Sequence, residues 1–217
     1  MSSQSLLPAL KSGVGQLGLS LNQSQLDGLM EYLALLVKWN RAYNLTAVRD
    51  PKDMLVRHLL DSLAVVPHLL PHIESGERIL DVGTGPGLPG MILAILYPEA
   101  DISLLDSNGK KTRFLFQVKS SLNLSRVSII NERVEAYHPA APYDIITSRA
   151  FASLQDMTHW CQHLLAPGGS FKAMKGVYPE AEIAAIDADY QVIDGHRLQV
   201  PGLSEERFLI SLQPVTR

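Results

Sequence analysis

The chain has 217 residues, 46% of them apolar, with 19 basic and 22 acidic side chains and a formal net charge of -3. That length supports a full hydrophobic core in one domain with an appendage, and the slightly acidic balance excludes a globally basic nucleic-acid binder, so any basic footprint has to be local. The single cysteine, Cys161, excludes an internal disulfide and a cysteine zinc site and points to a reducing, cytoplasmic home, while the absence of a long apolar run or a leader pattern argues against a membrane span or secretion.

Residues 1–75 read as helical. Positions 20–24 offer N-cap residues, and Leu26, Leu29, Met30, Leu33, Leu36 and Val37 then recur at helical spacing as far as about Asn40. Asp50-Pro51 starts a second helix, a cap residue followed by proline at the first helical position. Residues 54–70 continue that pattern and should stop near Pro71. From Arg78 the pattern alternates, with strands expected at 78–82, 101–106, 127–131, 143–148 and 169–174, and helices at 88–96, 109–121, 153–165 and 178–185. Such alternation implies a parallel sheet covered on both faces. Residues 190–193 and 207–212 read as two late strands joined through Pro201-Gly202, an antiparallel edge to that sheet.

The most informative stretch is Ile79-Leu80-Asp81-Val82-Gly83-Thr84-Gly85-Pro86-Gly87-Leu88-Pro89-Gly90: an apolar strand, an acid, alternating glycines and an apolar helix start. Gly83, Gly85 and Gly87 remove side chains that would hold the backbone away from a ligand, and the helix start offers unpaired N–H groups. Two ligands fit. Residues 85–90 satisfy G-x-G-x-x-G, and Asp106 lies 21 residues after Gly85, at the ribose position of a dinucleotide fold, so hydride transfer with a nicotinamide cofactor is a rival reading. However, the tight turn begins at Gly83, and Asp81 at the strand end would repel a pyrophosphate but suits a cation. S-adenosylmethionine, with its sulfonium and ammonium and no phosphate, is the favoured ligand. A glycine-rich turn without a ligand is the remaining alternative.

Further candidates follow from strand ends, where open α/β sheets bind ligands. Asp106 closes the second strand and can accept both ribose hydroxyls, the alternative being a cap for the next helix. Val134-Glu135 follows the third strand, where adenine is expected. Arg149 ends the fourth strand, a guanidinium at the cleft mouth able to pair with a carboxylate or phosphate. Lys175 is a weaker equivalent on the next strand. Lys110 and Arg113 share a helix face next to Asp106, and Arg126 and Arg133 come later. Together with Lys38, Arg41, Arg49, Lys52 and Arg57 they can form a basic rim, whereas acids gather at Glu180, Glu182, Asp187, Asp189 and Asp194. That segregation fits RNA binding on one face, with solvated helix charges as the alternative.

The absences narrow the chemistry. No Asn/Asp-Pro-Pro-Tyr motif follows the fourth strand. Cys161 lies in a helical run, which disfavours thiolate attack on a pyrimidine. His58 and His68 read as structural, and no metal-spaced cluster is present. A nucleophile with a free lone pair and no proton to lose, such as guanine N7, needs alignment and no general base.

Several motifs together resemble the RsmG (GidB) family of bacterial 16S rRNA guanine-N7 methyltransferases. They are Lys38-Trp39-Asn40-Arg41-Ala42-Tyr43-Asn44-Leu45-Thr46, Arg57-His58-Leu59-Leu60-Asp61-Ser62, the glycine loop, Leu105-Asp106-Ser107, Gly109-Lys110-Lys111, Arg133-Val134-Glu135, Ser148-Arg149-Ala150-Phe151-Ala152 and Lys175-Gly176. The resemblance implies an α/β, Rossmann-like class I fold dependent on S-adenosylmethionine. Residues 76–217 would carry its seven-stranded, mostly parallel sheet, and 1–75 a helical, RNA-facing extension. It implies methyl transfer to N7 of one guanine in the small-subunit rRNA, in the loop near the decoding site. It implies 16S rRNA, the small ribosomal subunit or its assembly intermediate as substrate, and a monomeric enzyme is expected. Cofactor contacts are implied at Gly83, Leu88, Val134, Glu135 and Arg149, beside the Asp81, Gly85, Gly87 and Asp106 read from the residues. Arg149 and Lys175 stand as the catalytic pair, and Lys110, Arg113, Arg133 and Lys175 as RNA contacts.

Overall fold

A computed structural model describes residues 3–215. Helices α1 (Leu7–Gln16) and α2 (Gln23–Tyr43) open the chain. Asn22 caps α2 by accepting the Gln25 amide at 2.9 Å, while the Gln25 side chain accepts the Asn22 amide, so two otherwise orphaned donors are satisfied reciprocally. Leu26, Leu29, Met30, Leu33 and Leu36 form its buried stripe. Asp50 caps α3 (Pro51–Met54), accepting the Lys52 amide at 2.7 Å. The chain then winds through a wider π turn (Leu55–Leu60), α4 (Asp61–Leu63) and α5 (Val66–Glu74). Pro71 does not end the helix as expected. It sits inside α5, where its missing N–H removes one bond near the helix end, and its carbonyl accepts the Ser75 amide that closes the last turn.

Seven strands form one sheet: β1 (Ile79–Val82), β2 (Ile102–Leu105), β3 (Ser128–Ile130), β4 (Tyr143–Arg149), β5 (Leu165–Lys175), β6 (Tyr190–Arg197) and β7 (Phe208–Pro214). Their order is β3-β2-β1-β4-β5-β7-β6. The first five are parallel, and β7 is antiparallel to both β5 and β6, as expected of the late hairpin. β5 begins earlier than expected because Tyr143 pairs with Leu165 across a register shift. Helices α6 (Gly90–Leu96), α7 (Gly109–Ser121), α8 (Leu154–Cys161) and α9 (Glu180–Ala184) complete the fold.

β1 and β2 are buried along their whole length, as expected of central parallel strands covered on both faces. On one face Ile79, Ile102, Leu104 and Ile145 share a continuous core with α1, α2, α6 and α7. On the other, Leu80, Val82, Ile146 and Phe171 pack against Leu154, Met157 and Cys161 of α8. The N-terminal helices thus lie on the same core as α6 and α7. The strand order reverses between β1 and β4, which places the ligand crevice at their carboxyl ends. Among the described residues, no helix is long and apolar enough to cross a membrane.

Candidate active site

The turn after β1 needs three left-handed glycines: Gly83 (φ 63°), Gly85 (φ 61°) and Gly87 (φ 96°). Each does a different job. A Cβ on Gly83 would lie 2.2 Å from the Phe151 ring, so the ring rests directly on bare backbone. A Cβ on Gly85 would meet nothing closer than 4.0 Å, so this residue offers an open face. Gly87 departs from the sequence expectation and lines neither of the two cavities at the strand ends. A Cβ there would come within 2.6 Å of Met91 and 2.8 Å of Leu115, so its bareness lets the loop pack on α6 and α7.

Asp81 also differs from expectation. It is fully buried and lines neither cavity. Its Oδ2 accepts the Thr84 hydroxyl at 2.6 Å and the Gly90 amide at 2.7 Å, pinning the loop from below. Gly90 seals it in, because α6 approaches so closely that a Cβ there would sit 2.8 Å from the carboxylate. Oδ1 has no partner. Burial pushes the Asp81 carboxyl up to about 7, against the opposing pull of Thr84 and Gly90. From the helical side, the buried Tyr32 hydroxyl donates to the Pro86 carbonyl at 2.9 Å, fixing the loop to α2.

Two cavities open at the strand ends. The larger, of about 440 Å³, is walled by Gly83, Gly85, Leu88, Arg149, Lys175 and Arg207 among others. The smaller, of about 370 Å³, is walled by Asp106, Arg133, Val134, Glu135 and Trp160. They share Gly83, Lys111, Ala150 and Phe151, so they form one trough partitioned by the Phe151 ring. The trough brings together most of the residues singled out in the sequence, leaving out Asp81, Gly87, Lys110 and Arg113.

Asp106 spans the join. Its Oδ2 accepts the Gly85 amide at 2.9 Å and its Oδ1 the Asn108 amide at 2.8 Å. It does not cap α7, because Asn108 does, accepting the Lys110 amide. The pairing of Lys110 and Arg113 beside Asp106 is corrected: both are exposed on α7, and Lys111 is the cation facing Asp106, at 3.6 Å. Lys111, Phe114, Leu115 and Val118 fall at helical spacing, with the last three buried, so the rotation that buries the apolar stripe carries Lys111 inward.

Both expected catalytic cations reach the larger cavity, but neither is a free charge. Arg149 Nη1 donates to Asp61 Oδ2 at 2.9 Å and to the Arg57 carbonyl at 2.8 Å. Lys175 Nζ donates to Glu182 Oε2 at 2.7 Å and to the Ala152 carbonyl at 2.9 Å. Glu182, one of the late acids, therefore braces the loop after β4. Arg57 likewise leaves the basic rim, since it is paired with Glu205 at 2.6 Å. Sequence reasoning missed Lys111, Trp160, Tyr32 and Arg207; the turn of α7 carries Lys111 inward, and only the tertiary fold brings the other three to the trough or its loop.

Away from the trough, His58 is buried, bonded to Thr46 Oγ1 and the Arg57 carbonyl. Burial first, and the Arg149 charge second, push it down to about 4, so it is neutral near pH 7. Cys161 is buried at the end of α8, with its thiol pushed up to about 12 by burial and then by Glu135.

Among solved structures, the glycopeptide N-methyltransferase MtfA complexed with sinefungin superposes with a TM-score of 0.61 at 9% identity, covering 73% of this chain and 88% of that one. TrmN from Thermus thermophilus gives 0.54 at 18% identity, covering 74% and 53%. At these identities the likeness is one of fold. Sequence relatives are much nearer. "Ribosomal RNA small subunit methyltransferase G" of Pseudomonas paraeruginosa is 52% identical over 204 residues, 94% of each chain. The protein of the same name from Escherichia fergusonii is 49% identical, covering 96% of this chain and 99% of that one. A family model described as rRNA small subunit methyltransferase G (GidB) matches residues 25–210. With that match spanning the trough and both layers of the core, and relatives about half-identical over nearly the whole chain, the chain belongs to the rRNA small subunit methyltransferase G family.

Proposed function

We propose that this protein transfers a methyl group from S-adenosylmethionine to N7 of one guanine in 16S rRNA, in the loop near the decoding site. It works as a monomer in the cytoplasm, on the small subunit or its assembly intermediate. The observation that carries the reading is the partitioned trough over Gly83, in a chain whose half-identical relatives are named as small-subunit rRNA methyltransferases.

The residues present fit the cofactor. Gly85 leaves an open face that a Cβ would fill, and a buried carboxylate oxygen of Asp81 lies unpaired beneath the loop, adding negative potential where a cationic ligand would rest. Asp106, Val134 and Glu135 would hold the nucleoside end in the smaller cavity. Gly83, Gly85, Leu88 and Arg149 would hold the amino-acid end in the larger, with the Arg149 guanidinium suited to a carboxylate. When bound, S-adenosylmethionine supplies an electrophilic methyl group carried on sulfur.

The protein's own residues then align the reactants. Guanine N7 presents a lone pair without a proton, so no residue has to remove one. Holding the base in line accounts for the rate. Leu88, Phe151 and Met174 supply apolar wall to the larger cavity, while Arg149, Lys175 and Arg207 offer donors to guanine O6, an RNA phosphate or the methionine carboxylate. Residues 1–75 serve as the RNA-facing extension to the methyltransferase domain of 76–217. Lys38, Arg41, Arg49 and Lys52 are exposed on that extension. The Trp39–Phe114 ring contact at 5.8 Å joins it to α7, which exposes Lys110 and Arg113. These cations, with Arg133 at the trough, are suited to rRNA phosphates.

Incubating the purified protein with methyl-labelled S-adenosylmethionine and small subunits from cells lacking it tests the reading. Label should be recovered as 7-methylguanosine after nuclease digestion. Label in another nucleoside, in protein or in small molecules only would overturn it.

A further inference from the structure

The helical extension places one carboxylate inside the trough wall, and nothing in the chemistry above uses it. Asp61 follows the π turn and is 1% exposed. Its two oxygens bind two arginines from the two strands that flank β5. Oδ2 takes Arg149 Nη1 from the end of β4, and Oδ1 takes Arg207 Nε from the lead into β7, each at 2.9 Å. Both arginines line the larger cavity.

The π turn prepares this contact. π turns inside helices recur at functional sites because they free backbone groups. Here the Arg57 carbonyl accepts the same Arg149 Nη1 that Asp61 holds. That carbonyl is also bonded to His58 Nδ1 at 2.9 Å, and His58 Nε2 meets Thr46 Oγ1 at 2.9 Å. The Thr46 amide is in turn held by Asn40 Oδ1 at 2.8 Å. A continuous chain of hydrogen bonds thus runs from Asn40 on α2 to the Arg149 guanidinium. Arg149 Nε and Nη2 have no protein partner among the described residues, beside the cavity that the residue lines.

We infer that Asp61 is a positioning residue for methyl transfer, anchoring one edge of Arg149 so that the other edge is presented to the larger cavity, with Arg207 held alongside. The inference rests on the larger cavity being the transfer chamber. A guanidinium is suited to this arrangement, because its planar fork keeps donors on one edge free while the other is tied. A carboxylate so buried, shared by two arginines, is also costly to remove from one side only, since the partners are left as uncompensated charges.

The test is a double-mutant cycle on the full chain, with labelled S-adenosylmethionine and unmethylated small subunits as substrates. Asp61→Asn keeps the shape and removes the charge. It should lower kcat/KM for the cofactor at least about tenfold while KM for RNA is unchanged. In an Arg149→Ala background it should cost little more, because no guanidinium remains to be positioned. Equal losses in the two backgrounds would mark a merely structural role and overturn the inference, as would full activity in Asp61→Asn or in Arg149→Ala. Where Asp61→Asn fails to fold by thermal melting, Arg149→Lys decides. It keeps the charge but cannot tie one edge and present another, so a comparable loss is expected and full activity overturns the inference. Absence of RNA methylation by the unaltered protein would instead count against the proposed function itself.

Discussion

Asp81→Asn should make the protein more stable at alkaline pH. Asn has nearly the same shape and can accept the same two hydrogen bonds, from Thr84 Oγ1 and the Gly90 amide. What it removes is a charge held in a fully buried site. Burial moves the Asp81 carboxyl from 3.8 to about 7, which at about 1.4 kcal/mol per pH unit amounts to at most about 4 kcal/mol. The sign follows from proton binding. Between about pH 4 and pH 7 the folded chain keeps the Asp81 proton and the unfolded chain has lost it, so this group's contribution to stability falls as pH rises and is flat above about 7. Urea unfolding of both proteins from pH 4 to pH 8 isolates the effect, because the other carboxylates are common to both and cancel in the difference. Near pH 4 the variant should be no more stable than the unaltered protein, since the neutral acid leaves one donor unpaired and the amide two. By pH 8 the variant should be the more stable by up to about 4 kcal/mol, with weaker binding of S-adenosylmethionine once the negative potential under the loop is gone. A gap independent of pH, or an unaltered protein more stable than the variant at pH 8, would refute the assignment of Asp81 as a carboxylate buried at a cost.

Arg149→Ala should fold normally and lose at least about tenfold in methyl transfer, about 1.4 kcal/mol of barrier; initial rates with labelled cofactor check this, and near-normal activity would remove Arg149 from the site. Gly85→Val should abolish cofactor binding in a calorimetric titration, because the side chain enters the open face of the cavity at a φ of 61° that strains any branched residue. Affinity retained by that variant would contradict the loop assignment. Cys161 should resist thiol reagents at pH 8 until the chain is denatured, since its thiol is pushed up to about 12, and Cys161→Ala should keep its activity; rapid labelling of the native protein with loss of methylation would place the sulfur in the chemistry after all.

Local patterns carried most of the architecture. The Asp50-Pro51 start, the α2 stripe and all seven strands follow from capping chemistry and hydrophobic period, which act over a few residues. The glycine turn was legible for the same reason. Which glycine faces a ligand was not, because Gly87 is bare for the sake of Met91 and Leu115, and Asp81 is sealed by a helix brought in at Gly90. Lys111 was within reach of sequence reasoning: its spacing to Phe114, Leu115 and Val118 already places it on the buried side of α7. Asp61 was not, since its partners lie 88 and 146 residues away, and no local period records such a pairing. The role of Glu182 was hidden for a related reason. It sits in the late run of acids, and only the fold carries it to Lys175 Nζ.

The most direct measurement is nucleotide-resolution mapping of 7-methylguanosine in 16S rRNA from cells with and without this protein. One guanine, in the loop near the decoding site, should carry the methyl group only when the protein is present, and should regain it when the purified protein and S-adenosylmethionine are added back. A methylation map of 16S rRNA that is identical in the two strains would contradict the assignment.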